Sequence, residues 1–346
     1  MALATNLTVL SLLLSLLYLN KKIIFGVLAA LYVSIINATK THQSDLGDYV
    51  FYYLRAKELT LSEYIAENFI WYSFEPLYLF SSYFFSRLGL PVELFLFGIS
   101  LFIYMFFIKA ALNFNLVHKN AFYFSVVLLV FSPIFFSLSL HLIRQLLAYS
   151  LCFYFMSKKT NKIYFLVPAL IHISAVVIPA ALFFHDRIGS LRKAKNIILI
   201  ASFLLGFTVI TSLISSNITQ TSTSFFLQII SKVVSTHTHD LGGLNPLQFL
   251  LIVFSNILVF FRSAPSSDYS KINSIVVMLT LIMAFNFSQS ELLVRLFVVF
   301  YYLLTFQLIS LIKAKRNIVA PALIISFIVF RISIAYSTWE YNTEVF

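Results

Sequence analysis

Apolar stretches of roughly 20 residues, separated by short charged or Pro-, Gly- and Asn-containing links, recur along this sequence. That length is what an α-helix needs to cross a hydrocarbon layer about 30 Å thick. Backbone groups inside a bilayer must satisfy one another, which leaves helices and closed barrels. Barrel strands alternate apolar and polar residues, whereas these runs are continuous. The expected fold class is therefore all-α, a polytopic integral membrane helical bundle. Composition agrees: of 346 residues, 60% are hydrophobic and only 11% charged, a balance that ordinary water-soluble domains do not have.

Full spans are expected at 4–19, 23–38, 92–112, 121–139, 141–157, 196–214, 246–262, 272–289, 292–312 and 317–335. Two further segments need separate treatment. Residues 163–190 lie between Lys158, Lys159 and Lys162 on one side and Arg187, Arg192, Lys193 and Lys195 on the other. A single crossing cannot join two cytoplasmic ends, so the segment reads as a pair of short or broken helices, interrupted near Pro168 and Pro179, with His172 and Ser174 at the tip. Residues 74–90 are apolar but short and read as re-entrant or interfacial. With that choice the N-terminus is outside, and sixteen of the 24 Lys and Arg fall at cytoplasmic ends, while eleven of the 13 acids fall outside. This satisfies the positive-inside rule. The whole of 1–346 is then one transmembrane domain, with larger outer segments at 39–91 and 215–245. Met1 to Leu19 lacks a basic start and a small-residue cleavage pattern, so it reads as a retained first helix. One cysteine, Cys152, excludes a disulfide framework.

Charge inside the apolar runs marks where chemistry is expected. Arg144 is the only strong charge between Lys119 and Lys158. A guanidinium at bilayer depth costs several kcal/mol unless it meets a partner or a polar cavity, and its flat fork suits phosphate or carboxylate. Gln145 adds a second polar group beside it. On this topology Arg144, Arg295 and Arg331 all sit at outer helix ends. Arg295 follows Glu291 by four residues, so an intrahelical pair competes with a functional role, and Arg331 reads as end-snorkelling. In the first outer segment Asp48 lies among Tyr49, Tyr52 and Tyr53, acids and rings of the kind that hold sugars. Interfacial aromatic belts look similar. Glu75 precedes Pro76, where an acid favours the helix dipole, and it is equally a candidate base. His172 lies at the expected helix break. The run His237-Thr238-His239-Asp240 reads as a polar loop, not a metal site.

Taken in order, Asp48-Tyr49 with Tyr52 and Tyr53, Glu75-Pro76-Leu77-Tyr78, Arg144-Gln145-Leu146-Leu147-Ala148, Ile171-His172-Ile173-Ser174-Ala175 and Arg295-Leu296 before Tyr301-Tyr302 resemble the EpsG/Wzy type of bacterial polysaccharide polymerase. The resemblance implies an inner-membrane glycosyltransferase that joins undecaprenyl-pyrophosphate-linked oligosaccharide repeat units at the periplasmic face, building O-antigen, capsule or exopolysaccharide. Arg144, Glu75, His172 and Asp48 are the catalytic candidates it implies. Arg144, with Arg295 in support, would neutralise the pyrophosphate, and the acceptor base would be Glu75, His172 or Asp48 in that order. Arg295, Gln145, Tyr49, Tyr52, Tyr53, Ser174 and Tyr78 are the substrate-binding candidates. The leaving group is already charged and stable, so no cofactor, nucleotide or metal is expected. The implied partners are the lipid-linked oligosaccharide, membrane lipid, and a chain-length regulator and flippase of the same pathway, with no nucleic acid. Rival readings are a lipid-linked-oligosaccharide flippase and a multipass acyl- or glycosyltransferase that decorates polysaccharide.

Overall fold

The structure is a computed structural model, and it describes residues 22–39, 45–72, 75–114 and 142–188 with isolated positions between 122 and 303. All regular elements among the described residues are helical. In chain order they are α1 (Lys22–Ala38), α2 (Asp45–Arg55), α3 (Leu61–Tyr72), α4 (Pro76–Arg87), α5 (Val92–Phe114), α6 (Ile143–Lys158), α7 (Leu166–Ile171) and α8 (Val177–Ile188), with 3-10 turns at Lys162–Phe165 and Ile173–Val176. The chain divides into two compact units, one of residues 1–179 and 326–346 and the other of residues 180–325. In the second, His185 Nδ1 lies 2.7 Å from Ser274 Oγ.

Helix α5 is the one described helix long and apolar enough to cross a membrane. Its 23 residues span about 35 Å. It covers the expected span at 92–112, α1 covers the one at 23–38, and α6 covers residues 143–157 of the one at 141–157. The expected spans at 4–19, 246–262 and 317–335, and most of those at 121–139, 196–214, 272–289 and 292–312, lie outside the described residues, as does the outer loop at 215–245.

The first unit is built around α5, which packs most extensively on α1 and α6. Apolar packing between these helices is supplemented by polar clamps. Asn37 Nδ2 donates to Ser100 Oγ at 2.8 Å across α1 and α5, and Asn113 Nδ2 donates to Ser157 Oγ at 2.9 Å across α5 and α6. Close approach of α1 and α5 depends on Gly26, where an added Cβ would lie 2.7 Å from Ile108 Cγ2. Outward faces of α1 and α5 carry Ile23, Ile35, Leu94 and Phe102, all more than half exposed. Large apolar side chains placed this way suit lipid, not water.

The described residues of the outer segment 39–91 form three helices, α2, α3 and α4, of which α4 lies in the stretch 74–90 read as re-entrant or interfacial. A capping box starts α3: the Thr60 backbone N–H donates to Glu63 Oε2 at 2.8 Å, and the Glu63 N–H donates back to Thr60 Oγ1 at 3.4 Å. Pro76 opens α4 at the position where a missing N–H costs nothing. A Schellman turn ends α4, with Leu90 N–H on Phe85 O and Gly89 N–H on Ser86 O. Gly89 takes the required φ of 76°. Helices α2, α3 and α7 all pack against α4, so the outer segment and the first helix of the broken pair meet around this one helix.

The broken pair is present, but its interruption falls at His172 and not at the prolines. Pro168 and Pro179 each occupy the third residue of a helix, α7 and α8, inside a first turn whose N–H groups have no intrahelical acceptor. His172 ends α7 through its N–H on Pro168 O at 2.9 Å, then turns extended at φ −154° and ψ 124°.

Candidate functional site

Three segments far apart in sequence bring polar side chains to one buried place. From α6, Arg144 pairs through Nη1 with Glu75 Oε2, and its Nε donates to the Tyr49 hydroxyl at 3.3 Å. Its guanidinium also lies over two rings, 5.1 Å from the centroid of Tyr49 and 5.7 Å from that of Tyr78. Those rings meet edge to face at 6.0 Å. Tyr49 comes from α2, Tyr78 from the first turn of α4. Among the described residues the cation is therefore met by the Glu75 carboxylate, the Tyr49 phenol and the faces of Tyr49 and Tyr78, at a side-chain exposure of 13%.

Glu75 stands immediately before α4, and its carbonyl accepts the Leu79 N–H at 3.2 Å, but its side chain makes no capping hydrogen bond. Its carboxylate is 4% exposed and serves the cluster: Oε2 takes Arg144, and Oε1 lies 3.5 Å from His172 Nε2. A purely dipole-stabilising role would keep the side chain at the helix N–H groups, and it is not there. A buried carboxylate is costly unless paired. Arg144 supplies that pairing.

The helix break explains how His172 arrives. Its Nδ1 accepts the Ser174 backbone N–H at 3.2 Å and lies 2.7 Å from Ser174 Oγ, so one face of the ring caps the 3-10 turn Ile173–Val176 while the opposite nitrogen reaches Glu75. Behind Ser174 stands Tyr149, whose hydroxyl is 3.1 Å from Ser174 Oγ and 3.3 Å from Ser174 O. Gln145 Nε2 in turn donates to the Tyr149 hydroxyl at 3.3 Å. Adjacent residues of α6 thus reach Glu75 by two routes, Arg144 directly and Gln145 through Tyr149, Ser174 and His172.

Of the residues singled out in the sequence, Tyr49, Glu75, Tyr78, Arg144, Gln145, His172 and Ser174 come together. Asp48 does not: it is exposed on α2, on the face it shares with half-buried Tyr52. Burial, then the charges of Asp48 and Glu67, raise the Tyr52 phenol above its ordinary value. Tyr53 points into the packing. Its ring stacks on Phe95 at 4.4 Å and its hydroxyl donates to Leu90 O at 2.8 Å, and burial pushes its phenol up to about 12. Arg295, Arg331, Tyr301 and Tyr302 lie outside the described residues, as does His237-Thr238-His239-Asp240. Tyr149 was not singled out. The signal was its spacing, since residues 145 and 149 are four apart and share a helix face.

Tyr78 carries a buried hydroxyl with no hydrogen-bond partner among the described residues. Beside an arginine and a carboxylate, such a group is placed to meet an oxygen of a bound molecule. Among the described residues no group of three or more His, Cys, Asp or Glu side chains is arranged to hold a metal ion. Chemically the cluster offers a cation for phosphate, a carboxylate to accept a proton, and a ring nitrogen against that carboxylate.

No curated protein and no solved structure matches the chain. The family described as EpsG matches residues 22–346. That stretch includes all seven residues that come together in the cluster, from Tyr49 to Ser174, and the apolar helix α5, and so the chain belongs to the EpsG family, as a membrane protein of the polysaccharide-polymerase type.

Proposed function

We propose that the chain is an inner-membrane glycosyltransferase that polymerises undecaprenyl-pyrophosphate-linked oligosaccharide repeat units at the periplasmic face. The observation that carries the reading is the buried Arg144–Glu75 pair with His172 on its second oxygen. Polymerisation of this type needs two things in one place: positive charge where the sugar–diphosphate bond breaks, and a base where the acceptor hydroxyl attacks. The cluster contains both and couples them.

In the proposed reaction the acceptor hydroxyl of one lipid-linked unit attacks the anomeric carbon of another. The new glycosidic bond forms as the bond from that carbon to the diphosphate oxygen breaks, with the electron pair leaving on the diphosphate. Glu75 takes the hydroxyl proton. Arg144 stabilises the charge that develops on the leaving diphosphate, and buried, preorganised donors do this best because water does not compete. Tyr49 holds the guanidinium, and the Tyr78 hydroxyl is a donor available to a diphosphate or sugar oxygen. Before substrate binds, Glu75 is the counter-ion of Arg144. The diphosphate then takes over Arg144 and leaves Glu75 to the acceptor.

Support for the external face comes from the charge distribution of the links and from the fact that Arg144 meets Tyr49, Glu75 and Tyr78, all in the segment 39–91 assigned to that side. The test is a strain lacking the chain, complemented with wild type or Arg144→Ala. Wild type restores a ladder of glycan lengths, while Arg144→Ala gives surface glycan of single repeat units. A strain without surface glycan would indicate a flippase, and an intact ladder would indicate a decorating enzyme; either sinks the proposal. Labelling that placed the Leu140 to Gln145 turn in the cytosol would sink it as well.

A further inference from the structure

The His172 ring nitrogens have unequal surroundings, and the difference fixes where the proton sits. A backbone N–H can only donate, so the contact from Ser174 N to Nδ1 at 3.2 Å requires a lone pair on Nδ1. The Ser174 hydroxyl, 2.7 Å from the same nitrogen, then donates to it too. A serine oxygen that has spent its proton is left as an acceptor, and its donor is the Tyr149 hydroxyl, 3.1 Å away and shared with the Ser174 carbonyl at 3.3 Å. Tyr149 in turn accepts from Gln145 at 3.3 Å. Every donor in this chain points the same way, from α6 toward Nδ1.

We infer that Tyr149 is a positioning residue: backed by Gln145 and acting through Ser174, it holds the His172 imidazole in the tautomer protonated on Nε2, so the ring presents a proton, not a lone pair, to Glu75. Gln145 at 1%, Tyr149 at 0% and His172 at 7% exposure are buried, with Ser174 half-buried between them, so the buried members are not cheaply replaced by water. Among the described residues, Glu75 faces His172 across the Nε2 gap, and Ser174 and Tyr149 stand behind Nδ1. This tautomer cannot accept a proton on Nε2 and its Nδ1 lone pair is occupied, so His172 is not the base. Its work is to hold one oxygen of Glu75 while the other answers to Arg144. This consequence for catalysis rests on the reading of Glu75 as base, whereas the tautomer itself does not.

The direct test is nitrogen-15 NMR of histidine-labelled protein in lipid nanodiscs, with the His172 signals assigned by their loss in His172→Gln. The expected spectrum has an unprotonated Nδ1 and a protonated Nε2 in wild type, and tautomer exchange in Tyr149→Phe and Ser174→Ala. A protonated Nδ1 in wild type, or spectra that neither variant alters, would overturn the assignment. Two substitutions separate positioning from capping. Asparagine at 172 keeps an acceptor near the Nδ1 position for the Ser174 N–H but does not reach Glu75; glutamine places an amide N–H near the Nε2 position. Polymerisation in His172→Gln is expected to exceed that in His172→Asn by about tenfold, and Tyr149→Phe to lose about ten- to a hundredfold with unchanged membrane insertion. Asparagine restoring more activity than glutamine would overturn the inference. If Glu75→Gln retained full polymerisation while the NMR result held, the base reading would fall and the tautomer would stand.

Discussion

Arg144 pairs with Glu75 across 69 residues of sequence, and the pair is buried on both sides. Removing one member takes from the other its opposite charge in this pair. Loss of one member of a buried pair costs about 3–5 kcal/mol, largely through the uncompensated charge left behind. Arg144→Ala is therefore expected to abolish polymerisation and to lower thermal stability, while Arg144→Ala combined with Glu75→Ala recovers much of the stability and none of the activity. Thermal unfolding in detergent and a glycan ladder read the two effects separately. Recovery of polymer in the double variant would show that the pair is architectural only.

The two acids offered by the sequence as bases are now distinguished by place. Glu75 is in the cluster and Asp48 is exposed on α2. Glu75→Gln keeps the shape and removes the proton acceptor, and a loss of about 10²-fold or more in turnover is expected. Asp48→Asn should stay within about twofold, as a surface substitution does when it touches no network. Initial rates on a lipid-linked repeat unit decide between them, and equal losses in both variants would remove Glu75 from the base's role.

The cluster was partly legible because its members are costly in their surroundings. An arginine in an apolar run, a histidine at a suspected break and an acid before proline each violate a local pattern, and such violations collect at functional sites. Tyr149 violates nothing: a tyrosine in an apolar helix reads as packing until its hydroxyl is seen against Ser174. The reverse error occurred at Tyr53, grouped with Tyr49 and Tyr52 by proximity although helix geometry turns it toward Phe95 and Leu90. The break was expected at Pro168 and Pro179 because proline removes a donor. Both fall instead in first turns, where that donor is not needed. Within the outer segment 39–91 the start of α3 is marked by Thr60-Leu61-Ser62-Glu63, a capping box that hydropathy does not register.

The α1–α5 contact gives a stability prediction of its own. At Gly26 a methyl group would press on Ile108 Cγ2 at 2.7 Å, and Ile108 is buried, with a branched side chain that has little room to turn. Overpacking costs about 1–3 kcal/mol, against a gain of about 1 kcal/mol from replacing glycine in a helix. Gly26→Ala is expected to lower the unfolding temperature modestly, and Ile108→Ala in that background to remove the added clash while leaving a cavity elsewhere. The informative quantity is the coupling between the two substitutions. Additive effects in a double-mutant cycle would mean that the helices are not in close contact there.

The cap of α3 carries a pH dependence whose sign follows from its hydrogen bonds. The Thr60 backbone N–H, then the Thr60 hydroxyl, hold the Glu63 carboxyl below its ordinary value of 4.5. Both donors favour the ionised form. A depressed value in the folded state means that the stabilisation is fully present above the ordinary value and disappears as pH falls through the folded one. Amide exchange of the first turn of α3 should therefore accelerate on acidification below that range, relative to amides in α5. Glu63→Gln should flatten this local pH response while keeping part of the cap, because an amide oxygen still accepts from the Thr60 N–H. Thr60→Ala should leave the turn frayed at every pH. Exchange at α3 that is unchanged by pH in wild type would mean the box is open in solution, and the helix would then owe its start to packing against α4 alone.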